Sequence, residues 1–269
     1  MSDDFIFQNP MDKSLADLVD YYFFIDVPVD SMPLEPEYVL PFPRITFGYF
    51  FDHPFLVTNH DRGQSKAVDM VISRVSTDKI TVQPITSRIK IIGAHVRPYT
   101  LALLTKKPIT KFPWLIDTVD LFGPIALSFK EKILECRSAA DMFVEVERVF
   151  LATLLDRDLH VIQEAVEMIE KHSGNIKFGQ LAKQLGLTDR ALRAQFHNYM
   201  GCAPKEFIKL VQLKQSVYHM NFTNDSLTGI TYQGEYFDQS HFIHSFKQIT
   251  GQAPKALREK MPGFRFLQF

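Results

Sequence analysis

The sequence predicts an α+β chain: a mainly β N-terminal domain built as a compact antiparallel sheet or barrel, a helical connector, and an all-α C-terminal domain. Three observations predict it. Residues 21–98 hold short segments rich in Phe, Tyr, Ile, Val and Thr, several of them alternating. From about Leu127 the apolar residues recur instead at three- and four-residue steps. The C-terminal third repeats a pattern at an interval of fifty residues. The boundaries read from these changes are 1–125 for the β-rich domain, 126–157 for the connector, 158–260 for the C-terminal domain and 261–269 for a tail.

The strand candidates are 21–26, 44–51, 55–58, 69–77, 80–85 and 88–96. Ile45-Thr46-Phe47-Gly48-Tyr49 shows the alternation, and Pro41, Pro43, Pro54 and the 59–63 turn supply the punctuation. In the connector, Phe129, Ile133, Met142, Phe143, Val146, Val149, Phe150 and Leu154 form a helical stripe. Such helices either join two protomers or pack on the β domain.

Composition narrows the function classes. Of 269 residues, 46% are hydrophobic and 23% charged, an ordinary balance with enough apolar surface for a sizeable core. The acidic start Met1-Ser2-Asp3-Asp4 leads into no sustained apolar run, so it does not read as a secretory signal. Crossing a bilayer needs about 18–20 apolar residues, and no run approaches that. Cys136 and Cys202 are too few for a disulfide framework or a cysteine-built zinc site and read as reduced thiols. A cytoplasmic protein without a membrane partner is the expectation. The net charge of −1 hides an asymmetry. From Arg157 onward there are 14 Lys+Arg against 10 Asp+Glu, whereas the preceding part carries 16 against 21. A basic C-terminal reader joined to an acidic partner domain fits this split.

The repeat is the most informative feature. Leu192, Phe196, Tyr199, Gly201, Ala203, Pro204 and Phe207 correspond to Phe242, Phe246, Ile249, Gly251, Ala253, Pro254 and Leu257. In the first copy, Leu181, Ala182 and Leu185 line one face of a short helix that Gly186 ends in the left-handed conformation. Leu187 plugs the turn, and Thr188 caps a second helix that buries Leu192, Phe196 and Tyr199 and stops at Gly201. Pro204 suits the first turn of the helix after it, where its missing N–H costs nothing. Helix, glycine-bearing turn, helix is a helix-turn-helix, whose second helix enters a DNA major groove. Asp189, Arg190, Arg193, Gln195 and His197 lie off its apolar stripe. Arg190 and Arg193, three apart, project from one face, and arginine is the commonest bidentate reader of guanine. On an unassigned helix they would be two solvated arginines.

The second copy starts at the cap Ser226 and runs through Leu227 and Ile230. Tyr236-Phe237 occupy its turn, Asp238 caps, and a helix spans 239–249. Gln239, Ser240, His241, Ile243, His244 and Lys247 lie off the stripe; the polar ones can bond base edges or phosphates, and Ile243 can touch a thymine methyl. A long intervening helix from Pro204 to about Met220 buries Phe207, Val211 and Val217 and fixes the separation of the two units. Lys205, Lys209 and Lys214 on its polar face are placed to reach phosphates.

The segments 181–188, 201–211 and 236–242, continuing through Phe246-Lys247 to Gly251-Gln252-Ala253-Pro254, resemble the AraC/XylS family of bacterial transcription regulators. The resemblance covers roughly residues 158–260. It implies a seven-helix module with two recognition helices in successive major-groove segments, and an attached domain that binds an effector or dimerises. On that pattern the base readers are Arg190, Arg193, Gln239, Ser240 and Ile243. The implied partners are double-stranded DNA, a small-molecule effector for the N-terminal domain, a second copy of the chain and, for an activator, RNA polymerase. Some positions depart from the family. Ala194 and His244 stand where an arginine usually faces the groove, Glu235 replaces the second turn's glycine, Thr231 replaces an alanine, and Ala203 and Ala253 replace a capping serine. Each lost arginine removes a base contact worth about 1–3 kcal/mol. Residues 15–22 and 91–98 resemble, more loosely, a domain found ahead of this module, which names no ligand.

No phosphate-cradling glycine loop or Gly-x-Ser-x-Gly elbow appears, and neither an enzymatic activity nor a cofactor is expected. His53, His60 and His95 lack the close His-x-His pair and carboxylate of a cupin metal site. Cys202 reads as packing. The Phe-rich N-terminal domain (24 Phe in the chain) either lines an apolar effector pocket or forms a filled core. The leading expectation is thus a sequence-specific DNA-binding regulator, and the alternative a protein-interaction or sensor module with weakened DNA readout.

Overall fold

Strand pairing sorts the N-terminal residues into two antiparallel sheets. The computed structural model describes residues 5–29, 36–223, 225–234, 236 and 238–260; Glu235, Phe237 and the 261–269 tail, singled out above, lie outside the described residues. Ten strands are described: β1 (Phe5–Gln8), β2 (Val19–Pro28), β3 (Glu37–Val39), β4 (Ile45–Phe50), β5 (Phe55–Asn59), β6 (Gln64–Ala67), β7 (Met70–Ser73), β8 (Ile80–Pro84), β9 (Arg88–Val96) and β10 (Leu115–Asp117). The larger sheet has the order β1-β2-β9-β4-β7-β10 and the smaller β3-β8-β5-β6. In the larger sheet the two longest strands, β2 and β9, pair from Val19↔Val96 to Pro28↔Arg88.

The larger sheet is buried on both faces. Phe23, Ile25, Val71, Ile89 and Ile91 point toward the smaller sheet and meet Phe55 and Val57. Tyr22, Phe47, Ile72, Ile92 and Ala94 point the other way. There, after two short helices, α1 (Leu101–Leu104) and α2 (Val119–Phe122), they meet α3 (Pro124–Glu135) and α4 (Ala139–Thr153). The Phe47 ring packs edge-on against Phe129 and Phe150, at 5.9 and 5.7 Å between centroids. Full burial of a phenylalanine stabilises by about 1.5–3 kcal/mol, so this aromatic layer ties α3 and α4 firmly to the sheet. Of the two options for the connector, the structure shows packing on the β domain; the outward residues Leu127, Leu134, Val144 and Leu151 remain exposed. Inside α4, the buried Glu147 carboxylate accepts from the N–H groups of Met11 and Asp12 and from the Tyr22 hydroxyl, which satisfies it.

Gly48 and Gly93 face each other across β4 and β9. A Cβ on Gly93 would lie 2.5 Å from the Phe47 carbonyl oxygen and 2.4 Å from Phe23 Cζ, so only glycine fits there.

Seven helices follow: α5 (His160–Lys171), α6 (Phe178–Gln184), α7 (Asp189–Tyr199), α8 (Pro204–Phe222), α9 (Leu227–Gln233), α10 (Gln239–Thr250) and α11 (Pro254–Lys260). They continue the hydrophobic core rather than hanging from it. Ile162, Ile169, Leu192, Phe196 and Phe207 belong to the same buried cluster as Phe47 and Phe129. Ion pairs reinforce the junction. Arg44, which is 8% exposed, pairs with Asp20 and with Glu170 of α5, and Arg97 reaches Asp20 and Glu170 at 3.0 Å each. At the foot of α7, the Arg74 guanidinium donates to the Gly201 carbonyl at 2.9 Å.

Candidate nucleic-acid interface

The two repeats form matching units. In the first, Gly186 takes φ +65° and closes α6, and the Thr188 side chain caps α7 by accepting from the Ala191 N–H at 3.2 Å. In the second, Ser226 caps α9 by accepting from Gly229, and Asp238 caps α10 by accepting from His241 at 2.7 Å. Gly201 and Gly251 end α7 and α10 with φ +71° and +73°, a conformation that penalises any Cβ. The interval of fifty residues is thus the same backbone turn made twice. Ala203 offers no capping oxygen, but the Glu206 carboxylate accepts from the Ala203 N–H, which keeps half of a capping box. Thr231, in place of the family's alanine, is buried and donates to the Leu227 carbonyl at 2.7 Å, so its hydroxyl is satisfied.

Both second helices bury one face and present the other. In α7, Leu192 and Phe196 are fully buried, whereas Asp189, Arg190, Arg193, Ala194 and His197 are exposed and Gln195 is half-buried. The Arg193 guanidinium lies 4.5 Å from the centroid of the Phe178 ring of α6, a cation–π contact that holds it across the helix pair. In α10, Phe242 and Phe246 are buried, and Gln239, Ser240, His241, Ile243, His244 and Lys247 are exposed. Tyr236 fills the turn before α10, its ring 5.0 Å from that of Phe242. Ala194 and His244 lie on the solvent side, so an arginine at either place would be exposed.

α8 runs between the units. Its 19 residues span about 28 Å at 1.5 Å each, close to the roughly 34 Å of one turn of duplex DNA. Lys205 and Lys209 are exposed on it, and Lys209 Nζ sits 3.5 Å from Gln248 Oε1, reaching from α8 to α10. Lys214 departs from the expectation. It is half-buried, with its ammonium 5.0 Å from the Phe42 ring of the β domain, and burial pulls its pKa down. The β domain covers that side of α8, so the face that reads as polar in sequence meets a second neighbour.

A second feature, left open between a pocket and a filled core in the sequence, is a cavity of about 250 Å³ between the two sheets. Phe23, Phe55, Val57, Ile91 and Trp114 line it, with Arg74 at one wall. His95 also faces it. This histidine stacks on Tyr21 at 4.9 Å and meets Phe23 and Phe42 edge-on, and burial lowers its pKa to about 4. His60 is not beside it but bonds Thr81 Oγ1 at 2.9 Å, and His53 lies in a turn with φ +52°. Burial pushes the Cys202 thiol up to about 12, which leaves it unreactive at neutral pH. Sequence reasoning missed Arg74: nothing around it marks it, because its role depends on two distant carbonyls.

Fold and site together define a double helix-turn-helix module attached to a two-sheet β domain. A family described as "Helix-turn-helix domain" matches residues 181–260, within the stretch that carries the AraC/XylS resemblance in the sequence. The HTH-type transcriptional activator RhaS of Pectobacterium atrosepticum is 29% identical over 89 residues, 33% of this chain and 32% of RhaS. RhaS of Yersinia pestis is 28% identical over 90 residues. The chain thus matches about a third of the length of these relatives. The whole fold is similar to that of ToxT from Vibrio cholerae O395, with a TM-score of 0.52 at 12% identity, covering 97% of this chain and 99% of ToxT. ToxT bound to (E)-4-(8-methylnaphthalen-1-yl)but-3-enoic acid gives a TM-score of 0.53 at 11% identity over 95% of this chain and 98% of ToxT. No described helix is long and apolar enough to cross a membrane.

Proposed function

We propose that the chain is a sequence-specific DNA-binding transcription regulator, with α7 and α10 reading adjacent major-groove segments and the β domain modulating that activity. The observation that carries this reading is the pair of capped helices, each with its apolar face in the core and its polar face in solvent. Arg190, Arg193, Gln239, Ser240 and Ile243 are the base readers, with Gln195, His241 and His244 beside them; Lys205, Lys209 and Lys247 take phosphates. The reading requires no catalytic step and no cofactor.

The boundaries 1–125, 126–157 and 158–260 are proposed as functional divisions: effector response, connection and DNA binding. The cavity between the sheets is the effector site. It is apolar with few polar groups, as small-molecule sites are, and ToxT, of similar fold, has been seen bound to an unsaturated fatty acid. A homodimer belongs to the same reading, because Leu127 and Leu134 on α3, and Val144 and Leu151 on α4, each recur at seven-residue spacing on an exposed face. The relatives' activator names support RNA polymerase as a further partner.

Footprinting on DNA upstream of the chain's own gene tests the reading. Protection of a discrete site that weakens steeply with salt is expected, since each neutralised phosphate contributes nearly one unit to the log–log salt slope. Protection spread evenly over the fragment would favour the alternative, a module with weakened readout.

A further inference from the structure

One short segment of the β domain touches the end of both reading helices. Residues 74–79 join β7 to β8. At one end of the segment, Arg74 donates through Nη2 to the Gly201 carbonyl at 2.9 Å, at the C-terminal end of α7. A Cβ on Gly201 would lie 3.0 Å from that Nη2 and 2.7 Å from Ile109 Cγ2, so the turn rests against the β domain without a gap. At the other end, Lys79 passes Gly251, the residue that ends α10. A Cβ there would lie 3.8 Å from Lys79 Cδ and Cε and 3.9 Å from the Tyr38 hydroxyl, which are ordinary contact distances. Gly201 and Gly251 are the matching glycines of the fifty-residue repeat, so equivalent points of the two units meet one stretch of the β domain. At each a cation lies by the C-terminal end of a helix, where the helix dipole favours it.

The segment is itself held firmly. The Lys79 N–H donates to Asp61 Oδ2 at 2.7 Å, and the Lys79 carbonyl accepts from the His60 N–H at 2.9 Å. The Asp78 carboxylate accepts from Arg62 at 2.6 Å and from the buried Asn59 at 2.8 Å, and it attracts Arg74 as well. The two contact points are thus fixed relative to each other. Leverage makes this matter. Gln239, Ser240 and Ile243 stand toward the far, N-terminal end of α10, whose 12 residues span about 18 Å. Tilting α10 by about 10° about its foot moves that end by about 3 Å, close to the rise of one base pair. α8 separates the two units but reaches α10 only through α9. We propose that residues 74–79 brace both reading helices, Arg74 positioning the foot of α7 and Lys79 that of α10, so that the β domain sets the base-pair separation the two helices accept. The inference rests on the reading of α7 and α10 as the DNA readers.

The duplex selected from a random pool by the full-length protein is remade with one base pair inserted or removed between its two elements. Binding of the original and the two altered duplexes, each labelled, is followed by fluorescence anisotropy. The wild type is expected to lose at least about tenfold in affinity on either altered duplex, the scale of one mismatched position. In Lys79→Ala this ratio should fall several-fold, whereas Lys79→Arg, which keeps a basic stem, should retain it. The ratio is the informative quantity, because a variant that is partly unfolded, or that has lost a phosphate contact, weakens on all the duplexes alike. Arg74→Gln should narrow the ratio in the same way, and Lys79→Ala still tests the brace if Arg74→Gln does not fold. An unchanged ratio in Lys79→Ala, or a wild type indifferent to the inserted base pair, overturns the brace and leaves the two reading heads standing. Selection of no duplex with two elements removes the reading of α7 and α10, and this inference with it.

Discussion

His95 makes the fold sensitive to acid, by an amount that follows from its surroundings. It is 7% exposed, packed among Tyr21, Phe23 and Phe42, and burial lowers its pKa from 6.5 to about 4. Asp20 opposes that shift, while Arg44 and Lys214 add to it. A histidine whose folded pKa is depressed stabilises the native state while it is neutral. That contribution is full above pH 6.5 and is lost as pH falls toward 4, because the unfolded chain takes up the proton first. At pH 5 the difference between the two states is about 1.5 log units, or about 2 kcal/mol at 1.36 kcal/mol per unit. The perturbation is His95→Phe, which keeps an aromatic ring in an aromatic site. The assay is denaturant unfolding of both proteins at pH 7.5, 6, 5 and 4.5. Carboxylates titrating in the same range contribute equally to both proteins, so the difference between them isolates residue 95. The wild type should lose about 2 kcal/mol more than the variant between pH 7.5 and 5. Parallel loss of stability in the two proteins would refute the reasoning.

Three further predictions follow from the packing and the caps. Gly93→Ala places a methyl against the Phe47 carbonyl oxygen and the Phe23 ring, and should destabilise by about 1–3 kcal/mol; an unchanged denaturant midpoint would contradict the close approach. Asp238→Ala removes the cap of α10 and should cost about 1 kcal/mol, visible as faster hydrogen exchange at residues 239–243 with the β domain unaffected. Arg193→Ala loses only the exposed cation–π contact with Phe178, about 0.5–1 kcal/mol of stability. Its specific DNA affinity should fall by about 5- to 150-fold, the equivalent of 1–3 kcal/mol, while affinity for unrelated DNA changes little; equal loss on both would confine Arg193 to phosphate.

Elements with a strong local signal were legible in the sequence, and those defined by their neighbours were not. The 88–96 segment reads as a strand and is β9 to the residue, because Ile89 and everything from Ile91 to Val96 is buried. β6 escapes notice because Gln64–Ala67 is polar and wholly exposed and owes its conformation to pairing with β5. β3 and β10 are three residues each, too short for alternation to register. The 69–77 candidate shortens to Met70–Ser73 because its two neighbours, β4 and β10, together pair only with those four residues. In the helical half, the caps Thr188, Ser226 and Asp238 and the turn glycine Gly186 act within a few residues of themselves, so sequence alone locates them. Lys214 differs for the opposite reason: periodicity distinguishes a core face from a polar face but cannot show that the β domain covers the polar one. The cavity depends on which rings fail to meet across two sheets, and composition leaves that undecided.

Two solvent-facing helices, built by one duplicated turn and spaced by α8, imply a bipartite operator. Selection of bound sequences from a random duplex pool by the full-length protein measures this directly. The expected result is an enriched motif with two short conserved elements about one helical turn apart, the element opposite α7 losing definition when Arg190 and Arg193 are replaced by alanine. Enrichment of a single uninterrupted element, or of none above the starting pool, would contradict two reading heads on one face of the duplex.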